Sequence, residues 1–180
     1  MEFQAIVMAA GKGNRMTDII LNGDKATRNS DVPAMPKCLL PIGNRPMVYY
    51  PVRMLEKAGF TEINIITLNS CKSRVETELK VNCGIKASLN IVGIDDNDEE
   101  DDFGTANSLY LLKDKIVNDC MIVSCDLISN VNIQRMANFY RNNSASFTML
   151  LSNNIEQYSE LPATGEKGKY KPGKLGFKII

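Results

Sequence analysis

Strand-like and helix-like runs alternate along this chain, and that alternation limits the possible folds more than any other feature of the sequence. The first apolar run, Phe3 to Met8, is short and continuous, as expected for a strand that is buried on both faces. Runs with apolar residues at spacings of three and four follow it, and each leads into a further apolar run. This order predicts an α/β fold with a Rossmann-like, doubly wound, mainly parallel sheet.

The individual elements follow from the same periodicity. Strands are predicted at Phe3 to Met8, Ile63 to Leu68, Leu89 to Ile94, Met121 to Cys125, Ser146 to Leu151 and Leu175 to Ile180. Helices are predicted at Pro46 to Lys57, Arg74 to Val81, Thr105 to Ile116 and Ile133 to Tyr140. Asn132 is the expected N-cap of the last helix, and Pro51 should kink or shorten the first one. We expect residues 1–180 to form a single domain.

Three stretches interrupt the alternation. Thr17 to Met35 is largely polar, and Asn153 to Lys174 is rich in Gly, Lys and Pro. Asp95 to Asp102 contains seven acidic residues and one Asn. Polar segments without an apolar period and segments rich in Gly and Pro are usually loops, and runs of like charge are usually solvated loops. All three stretches are therefore predicted to be loops.

A glycine-rich turn follows the first strand and is the strongest functional signal. Gly11 and Gly13 allow a tight turn whose backbone N–H groups can face an anion. Arg15 closes the turn and Lys37 follows the next loop, so two cations can converge on that anion. Met16 stands where the dinucleotide-binding fingerprint needs a third glycine, and no Walker motif is present. The alternative interpretation is a plain tight turn without a ligand.

Composition excludes several classes of function. Lys plus Arg and Asp plus Glu each number 21, so no overall field attracts nucleic acid or an anionic membrane. Histidine is absent, which excludes Ser-His and Cys-His catalysis and histidine-based metal sites within this chain. The five cysteines include no C-x-x-C pair, which favours reduced thiols in a cytosolic protein.

The glycine turn and the segment Pro36-Lys37-Cys38-Leu39-Leu40-Pro41 together resemble the signature of the sugar-nucleotide pyrophosphorylases and their relatives. A longer set of motifs is similar to the gamma-subunit family of eukaryotic translation initiation factor 2B, collinear from Met1 to about Leu151. These motifs are Met1-Glu2-Phe3-Gln4-Ala5, Asn14-Arg15-Met16-Thr17-Asp18, Lys37 to Pro46, Tyr50-Pro51, Gly104 to Leu109, Ser124-Cys125-Asp126-Leu127-Ile128 and Ala145 to Leu150.

The resemblance implies a cytosolic subunit of the complex that exchanges GDP for GTP on initiation factor 2. In that complex an epsilon subunit carries the exchange activity, and the gamma subunit pairs with epsilon and helps to bind initiation factor 2. Family members continue into a left-handed β-helix of hexapeptide repeats. Nothing similar occurs in this sequence. We therefore expect it to be an N-terminal piece of such a protein, which ends inside or near the end of a nucleotidyltransferase-like domain.

The resemblance also implies roles for particular residues in a site for GTP or ATP with Mg²⁺. Backbone N–H groups of the glycine turn would meet the phosphates, Arg15 the leaving pyrophosphate and Lys37 the phosphate on the nucleophile side. Asp126 would bind the metal, and a second glycine-containing segment would approach the base or sugar. The implied binding residues are Gly11, Gly13, Arg15, Lys37, Gly104 and Thr105, with Asp126 as the metal ligand.

Each implied role has a structural alternative. The glycines can serve turn geometry alone, and Thr105 can simply cap a helix. Asp126 can be a turn acid after its strand. Arg15 and Lys37 can be solvated cations, or can pair with an acid such as Asp126.

Three departures from active relatives weaken the catalytic interpretation. Asn14 replaces the usual Ser or Thr, the stretch from Thr17 to Met35 lengthens the loop between the two cations, and the acidic run opposes a polyanion. We therefore favour a non-catalytic scaffold and regulatory domain. The alternatives are an active sugar-phosphate nucleotidyltransferase, of the mannose-1-phosphate guanylyltransferase kind, and a nucleotide sensor without turnover.

Overall fold

The structure is a computed structural model that describes residues 2–11, 35–95 and 105–151, with the backbone alone for Thr105 and Ala106. It divides into two compact units, Met1–Asn130 and Val131–Ile180. The predicted strand from Leu175 to Ile180, the loop from Asn153 to Lys174, and nearly all of the two other predicted loops lie outside the described residues.

The first unit is built on a parallel sheet. Its strands are β1 (Gln4–Met8), β2 (Pro41–Ile42), β3 (Arg45–Pro46), β4 (Glu62–Leu68), β5 (Ser88–Ile94) and β6 (Cys120–Ser124). β2 and β3 form a separate antiparallel hairpin. The main sheet has the order β5-β4-β1-β6, and all of its neighbours are parallel.

Helices connect the strands of the sheet. In the first unit they are α1 (Tyr49–Lys57), α2 (Lys72–Thr77) and α3 (Thr105–Tyr110), and the second unit contains α4 (Ile133–Asn142). A π-helical turn at Glu78–Asn82 continues α2, and short 3-10 turns lie at Lys37–Leu39, Asn69–Cys71 and Lys113–Lys115. No helix among the described residues has the length and apolar character needed to cross a membrane.

The strand order reverses between β1 and β6. The chain adds β4 beside β1 and β5 beside β4, and then returns to place β6 on the other edge of β1. Right-handed crossovers in opposite directions put α1 and α2 on one face and α3 on the other. This arrangement is the predicted doubly wound sheet. In open sheets of this kind the ligand crevice lies outside the carboxyl ends of the strands where the order reverses, here β1 and β6.

β1 lies at the centre of the core. Ala5, Ile6 and Val7 are each 1% exposed or less, which explains why the first apolar run shows no alternation. On one face, Ile6 joins a buried cluster with Ile66, Ile94 and Leu112, and Leu109 of α3 packs against it. On the other face, α1 packs on β1.

The predicted helices begin and end at somewhat different residues. The first helix begins at Tyr49 rather than Pro46, because Pro46 pairs with Pro41 in the β2–β3 hairpin. Pro51 then falls in the first turn of the helix, where a missing N–H costs little. The third helix ends at Tyr110 rather than Ile116, and a 3-10 turn at Lys113–Lys115 completes the connection.

The second unit confirms one prediction and corrects another. Asn132 caps α4, since its side-chain oxygen accepts a hydrogen bond from the N–H of Arg135 at 3.0 Å. The strand predicted at Ser146 to Leu151 is wrong for this structure, in which residues 146–151 form no ladder. A strand requires a paired neighbour, and no described residue of the second unit supplies one.

Gly93 of β5 lies directly against the turn that follows β4. A Cβ at this position would come 1.8 Å from Oδ1 of Asn69 and 2.8 Å from Cδ of Lys72. A side chain at residue 93 would therefore force the side chains of Asn69 and Lys72 to move.

Glu56 near the end of α1 holds the segment that leads into β5. Its Oε1 accepts hydrogen bonds from the N–H of Lys86 at 2.6 Å and of Ala87 at 2.9 Å, and its Oε2 pairs with Arg53. Burial alone would raise the pKa of Glu56, but the hydrogen bonds from Ala87, Arg53 and Lys86 outweigh it. The pKa therefore lies below its ordinary value of 4.5.

The close approach at Gly93 predicts a specific non-additivity. We expect Gly93→Ala to lower the free energy of unfolding by about 1–3 kcal/mol, because the new methyl group displaces Asn69. Asn69→Ala removes the closest of the clashing atoms and leaves Cδ of Lys72 at 2.8 Å, so the double variant should recover part of that loss. Chemical denaturation of the four proteins measures the cycle. Equal losses from Gly93→Ala in both backgrounds would contradict the clash.

Glu56 predicts a pH dependence of stability. Its folded pKa is lowered, so its contribution is present above the ordinary value of 4.5 and is lost as the pH falls through the lower folded pKa. Glu56→Gln should cost about 1 kcal/mol at pH 7, since charge-assisted hydrogen bonds become neutral ones. Denaturation from pH 7 to pH 3 should show the gap between variant and wild type closing. Glu76→Gln, at an exposed position of α2, makes the same change of side chain and is the matched control.

Candidate functional site

The carboxyl ends of β1 and β6 lie side by side at the reversal of the strand order, where ligands of open α/β sheets bind. The segments that follow β1 and β6 stay hydrogen-bonded to the sheet beyond the ends of these strands. The N–H of Ala9 donates to the carbonyl of Ile66 at 2.7 Å, and the N–H of Cys125 donates to the carbonyl of Met8 at 3.0 Å. The residue after Cys125, Asp126, is therefore held in a fixed place beside the end of β1.

Lys37 reaches the same place from the 3-10 turn Lys37–Leu39. Cys38 and Leu39 are buried, and the carbonyl of Cys38 accepts a hydrogen bond from Val48 N–H at 2.9 Å, which anchors the turn to the start of α1. Nζ of Lys37 lies 2.7 Å from Oδ2 of Asp126. The two side chains are 24% and 46% exposed respectively, so water reaches the pair.

Ser124 completes the surroundings of the carboxylate. Ser124 ends β6 and Asp126 lies in the turn that follows, which the N–H of Leu127 closes by donating to the carbonyl of Ser124 at 3.2 Å. Across this turn the Ser124 hydroxyl donates to Oδ1 of Asp126. Burial alone would raise the pKa of Asp126, but the hydrogen bonds from Lys37 and Ser124 outweigh it, and the pKa lies below its ordinary value of 3.8. Asp126 is therefore ionised at neutral pH.

Buried thiols flank the ion pair in the sequence. Burial, with a smaller contribution from Cys125 and Cys71 nearby, raises the pKa of Cys38 to about 12. Burial, with a smaller contribution from Asp126, raises the pKa of Cys125 to about 11. Both thiols are neutral at physiological pH, so they are not nucleophiles and they add no charge beside Lys37 and Asp126.

The structure brings together two of the residues predicted for the site, Lys37 and Asp126. Gly11 is exposed just after β1, and no described atom lies within 4 Å of the position that a Cβ would take. Thr105 is the first residue of α3. Three other predicted residues, Gly13, Arg15 and Gly104, lie outside the described residues.

Two features of the site were missed or left open by the sequence. The hydroxyl of Ser124 was not assigned a role, although a Ser two residues before an Asp at the end of a strand often hydrogen-bonds locally, which was a usable signal. Pairing of Lys37 with Asp126 was one of several alternatives, and the structure contains that pair.

The donor set fits a magnesium ion that is bound together with phosphates. Mg²⁺ usually takes one or two carboxylates and completes its shell with water and phosphate oxygens. Asp126 offers one ionised, water-accessible carboxylate, and the ammonium of Lys37 already stands against it as a cation. Among the described residues, no three His, Cys, Asp or Glu side chains converge to hold a metal without such help.

Chemically, the site pairs a cation suited to a phosphate with a carboxylate suited to a metal. In the structure these two groups neutralise each other at 2.7 Å. A phosphate that approaches Lys37 therefore meets a nearby negative charge, unless another cation takes over Asp126.

The fold and family are confirmed by comparison with known proteins. The family model described as nucleotidyl transferase matches residues 4–159. A protein from Bacillus anthracis assigned as glucose-1-phosphate thymidylyltransferase superposes with a TM-score of 0.62 at 23% identity, covering 86% of this chain and 61% of its own. A UDP-glucose pyrophosphorylase gives 0.60 at 20% identity, covering 87% and 60%. At these identities the structures support the fold alone.

The curated relatives include translation initiation factor subunits. The eIF2B subunit gamma of Caenorhabditis elegans is 32% identical over 93% of this chain and 38% of its own length. That of Schizosaccharomyces pombe is 34% identical over 71% and 25%. A mannose-1-phosphate guanyltransferase of Debaryomyces hansenii is 27% identical over 82% and 37%.

The chain spans less than two fifths of the length of each of these relatives. The identity to the two gamma subunits nevertheless extends over most of this sequence. It confirms the resemblance to the gamma-subunit family that the motifs indicated. The chain belongs to the nucleotidyl transferase family and is similar to the eIF2B gamma subunits over most of its length.

Proposed function

We propose that this chain acts as a gamma-type subunit of an eIF2B complex, as a scaffold and regulatory domain rather than as a catalyst. The observation that carries the proposal is the 32% identity to the Caenorhabditis elegans gamma subunit over 93% of this chain. In this role it pairs with an epsilon-type subunit and helps to present initiation factor 2 for the exchange of GDP for GTP in the cytosol.

The geometry at the carboxyl edge of the sheet supports a non-catalytic role. Nucleotidyl transfer depends on positioned cations and carboxylate-bound magnesium, because the protein itself performs little covalent chemistry. Here the cation Lys37 and the carboxylate Asp126 are engaged with each other. A scaffold needs neither group to be free, whereas a transferase must separate them at every turnover.

We further propose that the crevice binds a nucleotide, GTP or ATP, with Mg²⁺ and without turnover. Bound there, Mg²⁺ would supply charge neutralisation between phosphate oxygens and Asp126. Lys37 would contact a phosphate, and the backbone N–H groups near Gly11 would face the same anion. Gly13, Arg15, Gly104 and Thr105 complete the proposed set.

The alternative function is an active sugar-phosphate nucleotidyltransferase. It is favoured by the identity of 27% to the Debaryomyces hansenii guanyltransferase over 82% of this chain. In that case Lys37 would hold the sugar phosphate, whose oxygen would bond to the α-phosphorus of GTP as the bond to the leaving pyrophosphate breaks. Asp126 would hold the metal, which would neutralise phosphate charge. The two functions differ in whether product forms.

The scaffold proposal predicts an effect on exchange that is independent of the crevice. Full-length protein reconstituted with an epsilon-type subunit should accelerate release of labelled GDP from initiation factor 2 beyond the rate with epsilon alone. Asp126→Asn should retain that acceleration, because assembly does not use the carboxylate. Failure to form a stable complex with the epsilon-type subunit, or an unchanged rate, would refute the proposed role.

The scaffold and transferase proposals predict opposite results in an assay of pyrophosphate release. Full-length protein incubated with GTP, Mg²⁺ and mannose 1-phosphate should release no pyrophosphate above a protein-free blank if the scaffold proposal is right. A coupled phosphate assay measures this directly. Pyrophosphate release that Lys37→Met and Asp126→Asn both abolish, while Lys113→Met does not, would establish the enzyme instead.

A further inference from the structure

Both carboxylate oxygens of Asp126 are bonded to other side chains of this chain. Its Oδ2 receives the ammonium of Lys37 at 2.7 Å, and its Oδ1 receives the hydroxyl of Ser124. Both oxygens that would face a metal are therefore occupied by this chain's own donors. The group that would hold a phosphate is the same ammonium that blocks the carboxylate.

The pair can open, because it lies at the surface of the crevice. Lys37 is 24% exposed and Asp126 is 46% exposed, and the flanking Cys38 and Cys125 are the residues that anchor the backbone in the core. Lys37 has a flexible four-carbon side chain, so its ammonium can move several ångströms while the 3-10 turn stays in place.

We propose that the Lys37–Asp126 ion pair is an electrostatic latch that admits a divalent cation and a phosphate ester together and disfavours either one alone. The inference rests on the proposed binding of a metal–nucleotide in this crevice and adds the rule by which it occurs. The rule concerns these two side chains, and it holds whether or not a product forms.

Charge balance explains the rule. A phosphate that takes Lys37 alone leaves Asp126 uncompensated next to a new anion, and a metal that takes Asp126 alone leaves Lys37 next to a new cation. When both bind, the carboxylate pairs with the metal, the ammonium pairs with the phosphate, and the metal pairs with the phosphate. Every charge released by opening the latch then gains a partner.

The latch predicts reciprocal coupling between the two ligands. In the wild type, inorganic pyrophosphate should tighten Mn²⁺ binding by roughly tenfold or more, and Mn²⁺ should tighten pyrophosphate binding by the same factor. Mn²⁺ binding is measured by the electron paramagnetic resonance signal of the free ion, and pyrophosphate binding by calorimetry. Each is compared with a protein-free mixture, because Mn²⁺ and pyrophosphate also bind each other in solution. Neither readout depends on catalysis.

Two variants open the latch from opposite sides. Lys37→Met frees the carboxylate, so Mn²⁺ alone should bind roughly tenfold more tightly than to wild type, while pyrophosphate gains nothing. Asp126→Asn frees the ammonium, so pyrophosphate alone should bind more tightly, while Mn²⁺ gains nothing. Thermal unfolding establishes that each variant is folded before binding is compared.

Matched controls come from the amino ends of the strands, away from the carboxyl ends where Lys37 and Asp126 lie. Lys113 and Asp114 lie on the turn Lys113–Lys115, whose Lys115 carbonyl is bonded to Gln4 at the amino end of β1. Lys113→Met and Asp114→Asn make the same changes of charge there, so they should reproduce the wild-type affinities. A gain of Mn²⁺ affinity in Lys113→Met equal to that in Lys37→Met would reduce the effect to net charge and overturn the latch.

The remaining outcomes separate this inference from the proposal beneath it. If wild type binds Mn²⁺ and pyrophosphate together but Lys37→Met gains no Mn²⁺ affinity, the latch is wrong and the ligand site stands. If no protein binds either probe, alone or combined, the ligand site and the latch are both wrong. The gamma-subunit proposal is judged separately, by assembly with the epsilon-type subunit.

Discussion

The position of β1 is the constraint on which the rest of this structure depends. Parallel hydrogen bonding to β4 on one edge and to β6 on the other leaves it no free edge, and helices cover both of its faces. A strand in that position must be apolar at successive residues, as Ala5, Ile6 and Val7 are. Because the strand order reverses beside β1, the same packing that makes the core also opens the crevice at its carboxyl end.

The candidate site depends on that frame and on a local balance of charge. The whole chain carries equal numbers of basic and acidic residues, so attraction for an anion must come from a few groups held close together. Lys37 and Asp126 are 89 positions apart in sequence. The backbone bond between Cys125 and Met8 holds one segment and that between Val48 and Cys38 holds the other, and the two side chains meet at 2.7 Å. Their separation is thus a property of the fold rather than of either segment.

The sequence predicted the alternation of elements well, since periodicity reports burial directly. β4 and β5 each begin one residue before their predicted starts, and Asn132 caps α4 as its chemistry suggests. The errors occur where the structure depends on pairing between strands. Pro46 belongs to a hairpin rather than to a helix, and residues 146–151 form no ladder. Local residue preferences do not predict either result, since strand pairing depends on residues distant in sequence. For the site, residue types indicated phosphate and metal chemistry, but only tertiary structure could select Asp126 among the acids available to Lys37.

An ion pair that water reaches contributes little to stability, on the order of 0–1 kcal/mol. The buried cluster of Ile6, Ile66, Ile94 and Leu112 contributes far more, at about 1.5–3 kcal/mol for each such side chain. The fold therefore does not require Lys37 and Asp126 to meet, and their contact at the ligand edge needs a reason other than stability. A scaffold role alone supplies none. The proposed control over which ligands bind at this edge would supply one, since the pair costs the fold little and its charges would act on a metal or a phosphate bound beside it.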